Sequence, residues 1–130
     1  MPKKHSPGFE KLCDEARTRI KEVSVQEVSA LLSTKSDFLL LDVREDHEWN
    51  EGRIPGASHL GKGIIERDIE ETVPDPAKKI ILYCGGGYRS ALAADSLQKI
   101  GYTTILSMAG GFRSWKESGF PITKGDSNDK

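Results

Sequence analysis

The chain has few of the residues that would tie it to a membrane, a metal or an oxidising compartment. Its 130 residues include two cysteines, Cys13 and Cys84, with no CxxC pair and no Cys/His ligand spacing. We therefore expect no disulfide scaffold, no metal site and no cofactor. No apolar run approaches the roughly 20 residues of a membrane span, and the basic start, MPKKHSPGFEKL, lacks the apolar segment of a signal peptide. These absences predict a cytoplasmic protein with free thiols and no membrane partner.

A net charge is also nearly absent. The chain has 19 basic and 20 acidic residues and a formal net charge of −1, which argues against nucleic acid as a partner. Its 36% hydrophobic residues together with 13 glycines are typical of globular proteins. A chain of this length is expected to form one domain with a substantial core.

Hydrophobic patterning predicts alternating strands and helices. Apolar runs mark strands, and those at 38–43 and 79–83 are continuous enough to be buried on both faces of a sheet. The predicted strands are 38–43, 57–60, 79–83 and 103–106. Helical spacing or capping signals predict helices at 9–22, from Ser24 onward, 64–72, 90–100 and 112–117, with a helix or turn at 45–50. This order predicts an α/β domain with a mostly parallel central sheet and helices on both faces.

The segment from Cys84 to Ser90 joins a predicted buried strand to a predicted helix. The free N–H groups of a helix N-terminus favour negative charge, and the consecutive glycines after Cys84 let backbone amides converge on one point. Such a setting stabilises a thiolate, and Arg89 adds a cation that can bind an anion bidentately. The sequence predicts Cys84 as the nucleophile. The predicted substrate- and anion-binding loop consists of Gly85, Gly86, Gly87, Tyr88, Arg89 and Ser90.

This chemistry requires a thiol that is ionised and reachable from solvent. The alternative is a buried cysteine that only ends a strand, and the flanking glycines and arginine favour the nucleophile.

Cys13, on an apolar helix stripe, is interpreted as a core residue, with resolution of a Cys84 persulfide as the alternative. Three roles are open for Asp42: a hydrogen bond to the active loop, a pair with Arg44, or a capping carboxylate. Glu48 is interpreted as a solvated helix residue.

Several ordered motifs resemble those of the rhodanese family of sulfurtransferases. The stretch from Cys84 to Arg89 looks like the six-residue active loop of that family. The other matching segments are DVRE at 42–45, EGRIPGA at 51–57, where the family usually has histidine in place of Arg53, and GGF at 110–112 with Trp115. The resemblance covers about residues 24–122. It leaves 1–23 as an N-terminal extension, predicted to be helical, and 123–130 as a flexible tail.

The resemblance implies a single-domain enzyme similar to thiosulfate sulfurtransferase. Cys84 would take a sulfane sulfur from a small sulfur-containing anion such as thiosulfate and become a persulfide. It would then pass that sulfur to cyanide, a thiol or a protein acceptor. Arg89 would hold the sulfite-like end of the donor, and Asp42 and Arg44 would support the shape of the loop.

Two other functions remain open at this point. A non-enzymatic persulfide carrier or anion-binding interaction module would contain the same loop. A cysteine phosphatase would also use a thiolate and an arginine at a helix N-terminus, but in the spacing C-x5-R. Here Cys84 and Arg89 enclose four residues, and the smaller ring suits a single sulfur better than a tetrahedral phosphate.

Overall fold

The structure is a computed structural model that describes residues 5–124. Its strands are β1 (Lys21–Val23), β2 (Leu39–Asp42), β3 (Ser58–His59), β4 (Ile80–Tyr83) and β5 (Ile105–Met108). They form one sheet in the order β1-β5-β4-β2-β3, and every pair of neighbours is parallel. The predicted parallel sheet is confirmed. The predicted flexible tail lies outside the described residues from position 125 onward.

Helices cover both faces of this sheet, as the alternation of elements predicted. They are α1 (Pro7–Arg17), α2 (Val25–Ser33), α3 (Asp46–Glu51), α4 (Ile65–Thr72), α5 (Tyr88–Ile100) and α6 (Gly111–Glu117). The predicted capping box at the start of α2 is present, because Ser24 Oγ accepts the Glu27 N–H at 3.0 Å and Glu27 Oε1 accepts the Ser24 N–H at 2.8 Å. No helix of residues 5–124 combines the length and the apolar character of a membrane span.

The core has two halves because successive strand residues point to opposite faces of the sheet. On one face, Leu41 and Leu82 pack with Ile69 of α4 and Leu97 of α5. On the other face the central strands pack against α2 and α6. The residues of that second half include Leu40, Ile81, Val28, Phe112 and Trp115. Burial on both faces explains why the central strands are continuous apolar runs.

The helix predicted over 9–22 is wrong at its carboxyl end. α1 ends at Arg17, and Lys21–Val23 form β1, which pairs with β5. This three-residue strand lies at the edge of the sheet and is largely exposed. An exposed edge strand needs no apolar run, so patterning could not reveal it. Two smaller differences are that α5 begins two residues earlier than predicted, and that β5 is shifted by two residues from 103–106.

The sheet places the predicted site at its carboxyl edge. Ligands in such folds bind where parallel strands end. β2 ends at Asp42, and β4 ends at Tyr83, directly before Cys84. The helix that follows this loop, α5, packs against α1. The N-terminal segment is therefore part of the surroundings of the loop.

Candidate active site

The sulfur of Cys84 lies inside the turn between β4 and α5. Its Sγ accepts the backbone N–H groups of Gly87 at 3.1 Å and of Ser90 at 3.3 Å. Hydrogen bonds to the charged form of a group favour that form, and these two amides lie in the last residue before α5 and in its first turn. The geometry is therefore the convergent amide arrangement that can hold a sulfur anion or the outer atom of a persulfide.

Cys84 is more enclosed than the sequence led us to expect. The residue is 1% exposed, so the expectation of a thiol that faces solvent is wrong for this structure. The side chain of Arg89 reaches back over the loop, with Nη2 3.2 Å from the position that a Cβ on Gly85 would occupy. A donor can meet the sulfur only when the side chains at the rim of the loop move.

The hydroxyl of Ser107, which the sequence did not predict as part of the site, is buried and contacts the active loop through Ser90. Ser90 and Ser107 are both fully buried, and their Oγ atoms lie 2.8 Å apart. Ser90 Oγ is also 3.6 Å from Cys84 Sγ, which can donate to it as a thiol. The three side chains form a short relay from β5 to the sulfur. No motif marked Ser107, because its partner is 17 positions away in the chain.

The start of α6 packs directly on the backbone of the loop. Phe112 N–H donates to the carbonyl of Cys84 at 2.7 Å, and Arg113 N–H donates to the carbonyl of Gly85 at 3.0 Å. Gly111 has φ +60°, and a Cβ at this position would lie 2.5 Å from the Cys84 carbonyl oxygen. This close approach explains why the GGF segment requires glycine at Gly111.

Arg89 is engaged by a carboxylate of the protein. Its Nη1 and Nη2 donate to Glu48 Oε1 at 2.9 Å and Oε2 at 3.1 Å. These hydrogen bonds, the Glu45 N–H and the charge of Arg89 lower the pKa of Glu48 to about 2, against the opposing effect of burial. The hydrogen bonds to Glu48 in turn raise the pKa of Arg89. The interpretation of Glu48 as a solvated helix residue is wrong, because its side chain is 26% exposed and paired.

Asp42 and Arg44 form a buried ion pair. The carboxylate of Asp42, which is 0% exposed, accepts the Arg44 backbone N–H at 2.9 Å and Nη2 at 2.7 Å. Arg44 also donates to the carbonyl of Gly52 at 2.6 Å, and its guanidinium lies 4.4 Å from the centre of the Phe112 ring. Of the interpretations of Asp42, the structure shows the pairing with Arg44. The pair joins the end of β2 to the segment after α3 and to α6.

The N-terminal helix contacts the loop through Arg17 and an aromatic cluster. Arg17 Nη2 donates to the carbonyl of Gly87 at 3.1 Å, and its guanidinium lies 4.7 Å from the centre of the Tyr88 ring. The same ring packs against His5 and Phe9, at 4.3 and 5.9 Å between ring centres. Tyr88 is thus covered by the segment that precedes the region of family resemblance.

Cys13 also faces this part of the loop. Its Sγ lies 3.7 Å from the carbonyl oxygen of Tyr88, and the residue is 0% exposed. Burial raises the pKa of this thiol, which fits a packing role. A part in resolving a persulfide on Cys84 stays a prediction.

Arg53, where the family motif usually has histidine, donates to the carbonyl of Trp49 at 3.1 Å, and its guanidinium lies 4.6 Å from the centre of the Trp49 ring.

The family model and the sulfurtransferase relatives indicate one family. The model of the rhodanese-like domain matches residues 24–118. A sulfurtransferase from Allochromatium vinosum is 32% identical over 79% of this chain and 94% of its own length. The thiosulfate sulfurtransferase GlpE from Coxiella burnetii is 31% identical over 74% of this chain and 87% of its own length. A solved structure from Rhodopseudomonas palustris, described as of unknown function and a possible tyrosine phosphatase, is 34% identical with a TM-score of 0.80, covering 95% and 99% of the two chains.

Proposed function

The chain belongs to the rhodanese-like domain family, and on that premise we propose that it is a sulfurtransferase that carries a sulfane sulfur as a persulfide on Cys84. The observation that carries this proposal is the pair of backbone N–H groups, from Gly87 and Ser90, that point at Cys84 Sγ. Relatives about 30% identical are named sulfurtransferases, which supports the reaction class. The proposed domain is 24–122, and β1 from the preceding segment adds an edge strand to its sheet.

In the first step the Cys84 thiolate attacks the outer sulfur of a donor such as thiosulfate. A new S–S bond forms at Sγ, the S–S bond of thiosulfate breaks, and its electron pair leaves with sulfite. The product is a persulfide anion on Cys84, which the amides of Gly87 and Ser90 can stabilise as they do the thiolate. The attacking group in this proposal is the thiolate form of Cys84, so the step includes no general base.

In the second step the outer sulfur passes to an acceptor, which we propose to be cyanide, a small thiol or a cysteine of a protein. The acceptor attacks that sulfur, and the electron pair of the broken bond returns to Cys84 as thiolate. The hydroxyl of Ser90, which is hydrogen-bonded to Ser107, lies 3.6 Å from Sγ and can donate to the thiolate that is re-formed. We place this reaction in the cytoplasm, where thiols remain reduced.

Because Cys84 is enclosed, the proposed reaction begins with a movement of the side chains around the loop. Because the residue is 1% exposed, the side chains at the rim must shift before a donor can reach the sulfur. Arg89 is the side chain that crosses the loop, and its guanidinium is occupied by Glu48. We propose that Arg89 contacts the sulfite end of the donor only after this pair has separated.

The test is to incubate the purified protein with thiosulfate and to measure intact and peptide masses. We expect one added sulfur on the peptide that contains Cys84, and none in Cys84→Ser. Cys13→Ser is the matched control, because it removes the other buried cysteine and should still be loaded. Absence of the added sulfur on Cys84 with thiosulfate and with polysulfide would overturn the proposal.

Turnover separates an enzyme from a carrier. We expect repeated formation of thiocyanate from thiosulfate and cyanide, whereas a carrier would load once and discharge only to a specific partner.

A phosphatase is the other candidate, favoured by the description of the Rhodopseudomonas palustris protein as a possible tyrosine phosphatase. The four residues between Cys84 and Arg89 argue against it. Release of phosphate from an aryl phosphate that is lost in Cys84→Ser would reverse this ranking.

A further inference from the structure

A cleft of about 530 Å³ opens beside the active loop, at Gly85. Its volume lies within the range of about 300–1,000 Å³ that is typical of sites for organic ligands. One part of its wall is apolar, with Phe112 and Ile122, and the rest is polar. The full lining consists of Arg44, Glu48, Glu51, Gly52, Gly85, Phe112, Arg113, Lys116, Ile122 and Lys124. This is much more room than an anion as small as thiosulfate needs.

The free charges of the cleft are mainly positive. Arg113, Lys116 and Lys124 are exposed, and in the described part of the chain none of them forms an ion pair, nor does Glu51. Glu48 is already neutralised by Arg89. Within residues 5–124, three cations without an ion pair therefore face one such carboxylate, and Lys116 Nζ lies 5.1 Å from the centre of the Phe112 ring.

Of these three cations, Arg113 is the one that contacts the active loop. Its backbone N–H donates to the carbonyl of Gly85, and its guanidinium Nη2 lies 4.0 Å from the position that a Cβ on Gly86 would occupy. The guanidinium of Arg113 thus lies against the outer surface of the active loop and has no carboxylate partner among residues 5–124. Arginine in this state is suited to bind a carboxylate bidentately. By contrast, Arg89 of the loop has its fork filled by Glu48.

We infer that this cleft binds the sulfur acceptor, that the acceptor is a thiol bearing carboxylates, and that Arg113 is the residue that selects it. The inference rests on the proposed function for its reaction, and it assigns the substrate class of the second step. The acceptor thiolate attacks the outer sulfur of the Cys84 persulfide anion, RS⁻ + Cys84–S–S⁻ → RS–S⁻ + Cys84–S⁻. One S–S bond forms and one breaks, the transferred sulfur keeps its negative charge, and no oxidant or reductant is consumed.

The first experiment measures discharge of protein already loaded with sulfur. The protein is loaded with thiosulfate and desalted, and the loss of the persulfide is followed with mercaptosuccinate, 2-mercaptoethanol and cysteamine. For each thiol the rate of a variant is divided by the wild-type rate, so that the intrinsic reactivity of the thiol cancels. The variants are Arg113→Gln, Arg113→Lys and Lys21→Gln. Lys21 is the matched control, because it is an exposed cation at the start of β1, the opposite edge of the sheet.

Arg113→Gln should slow discharge to the dianionic mercaptosuccinate by roughly five- to tenfold and discharge to neutral 2-mercaptoethanol less than about twofold. Cysteamine, a cation, should not be slowed. Arg113→Lys should recover part of the rate with mercaptosuccinate, and Lys21→Gln should match the wild type with every thiol. Equal factors for all three thiols in Arg113→Gln would overturn the inference.

The second experiment needs no sulfur transfer and so separates this inference from the proposed function. Succinate, which carries the carboxylates without the thiol, is titrated into unloaded protein while the backbone amide NMR signals of Gly85 and Gly52 are followed. We expect saturable shifts that weaken in Arg113→Gln but not in Lys21→Gln. If the protein never loads with sulfur and succinate still binds through Arg113, the proposed function fails and the cleft stands as an anion site. If loading succeeds but succinate produces no such shifts, the cleft inference fails alone.

Discussion

Arg89 and Glu48 are joined by two hydrogen bonds, 2.9 and 3.1 Å long, beside the loop that holds Cys84. The guanidinium that the sequence assigned to the donor therefore binds a carboxylate of the same chain. The arrangement keeps a cation close to the sulfur while Glu48 occupies its donors. In the proposed reaction a donor competes with Glu48 for Arg89, so we expect this pair to control access to Cys84.

Replacing Glu48 by glutamine tests how much this pair contributes to the free energy of unfolding and how that contribution changes with pH. The folded-state pKa of Glu48 is about 2, against an ordinary value of 4.5. A lowered folded pKa means that the stabilisation is fully present above pH 4.5 and is lost as the pH falls toward 2. We expect Glu48→Gln to lower the free energy of unfolding at pH 7 by about 1–2 kcal/mol, after allowance for partial exposure. Urea unfolding at several pH values should show the difference from wild type shrinking between pH 4.5 and 2.

Glu51→Gln is the control for that series, because Glu51 is exposed and forms no ion pair within residues 5–124. Its effect on stability should be small at every pH. A Glu48→Gln penalty of the same size at pH 7 and pH 2.5 would mean that lost packing, and not the charge pair, accounts for it.

Replacing Gly111 by alanine tests the contact between α6 and the active loop. The new Cβ would meet the Cys84 carbonyl oxygen at 2.5 Å, a backbone atom that cannot swing aside. Gly119→Ala is the matched control, since Gly119 also has a positive φ, +79°, but a Cβ there would meet no atom of the described residues within 4 Å. We expect Gly119→Ala to cost about 1–2 kcal/mol and to load sulfur normally. Gly111→Ala should cost clearly more in thermal unfolding and should impair loading of Cys84; equal costs for the two variants would refute the contact.

Replacing Ser107 by alanine tests the buried relay. The change leaves the Ser90 hydroxyl without its partner at 2.8 Å, and an unsatisfied buried hydroxyl costs about 1–3 kcal/mol. Ser90→Ala should cost a similar amount but should preserve loading of Cys84, because the Ser90 backbone N–H still reaches the sulfur. The double variant should cost less than the sum of the single changes, as expected for coupled residues. Additive costs in urea unfolding would show that the two hydroxyls do not interact.

Replacing Arg17 by alanine tests whether α1 orders the active loop. The change removes the hydrogen bond to the Gly87 carbonyl and the guanidinium stacked on Tyr88. We expect faster amide hydrogen exchange over residues 87–89 and slower loading with thiosulfate. Arg67→Ala is the control, because the Arg67 side chain is 73% exposed and pairs with its neighbour Asp68. Unchanged exchange over residues 87–89 in Arg17→Ala would show that the helix only packs beside the loop.

The parts of this site that the sequence determined are those made by neighbours in the chain. An apolar strand, three glycines and a helix bring the amides of Gly87 and Ser90 onto Cys84, all within seven consecutive positions. Local backbone geometry is sufficient for such a loop, so its residues could be named from their order alone. The same holds for the capping box of α2 and for the buried central strands, whose composition reflects burial on both faces.

Tertiary structure alone decided what surrounds that loop. Glu48 is 41 positions from Arg89, Ser107 is 17 positions from Ser90, and Arg17 is 70 positions from Gly87. Whether such pairs meet depends on how the helices and strands pack, which no local pattern of charge or hydrophobicity encodes. For the same reason the enclosure of Cys84 and the edge strand β1 became visible only in the folded chain. The sequence predicted Cys84 as the nucleophile, and the packing of distant elements determined its exposure and its neighbours.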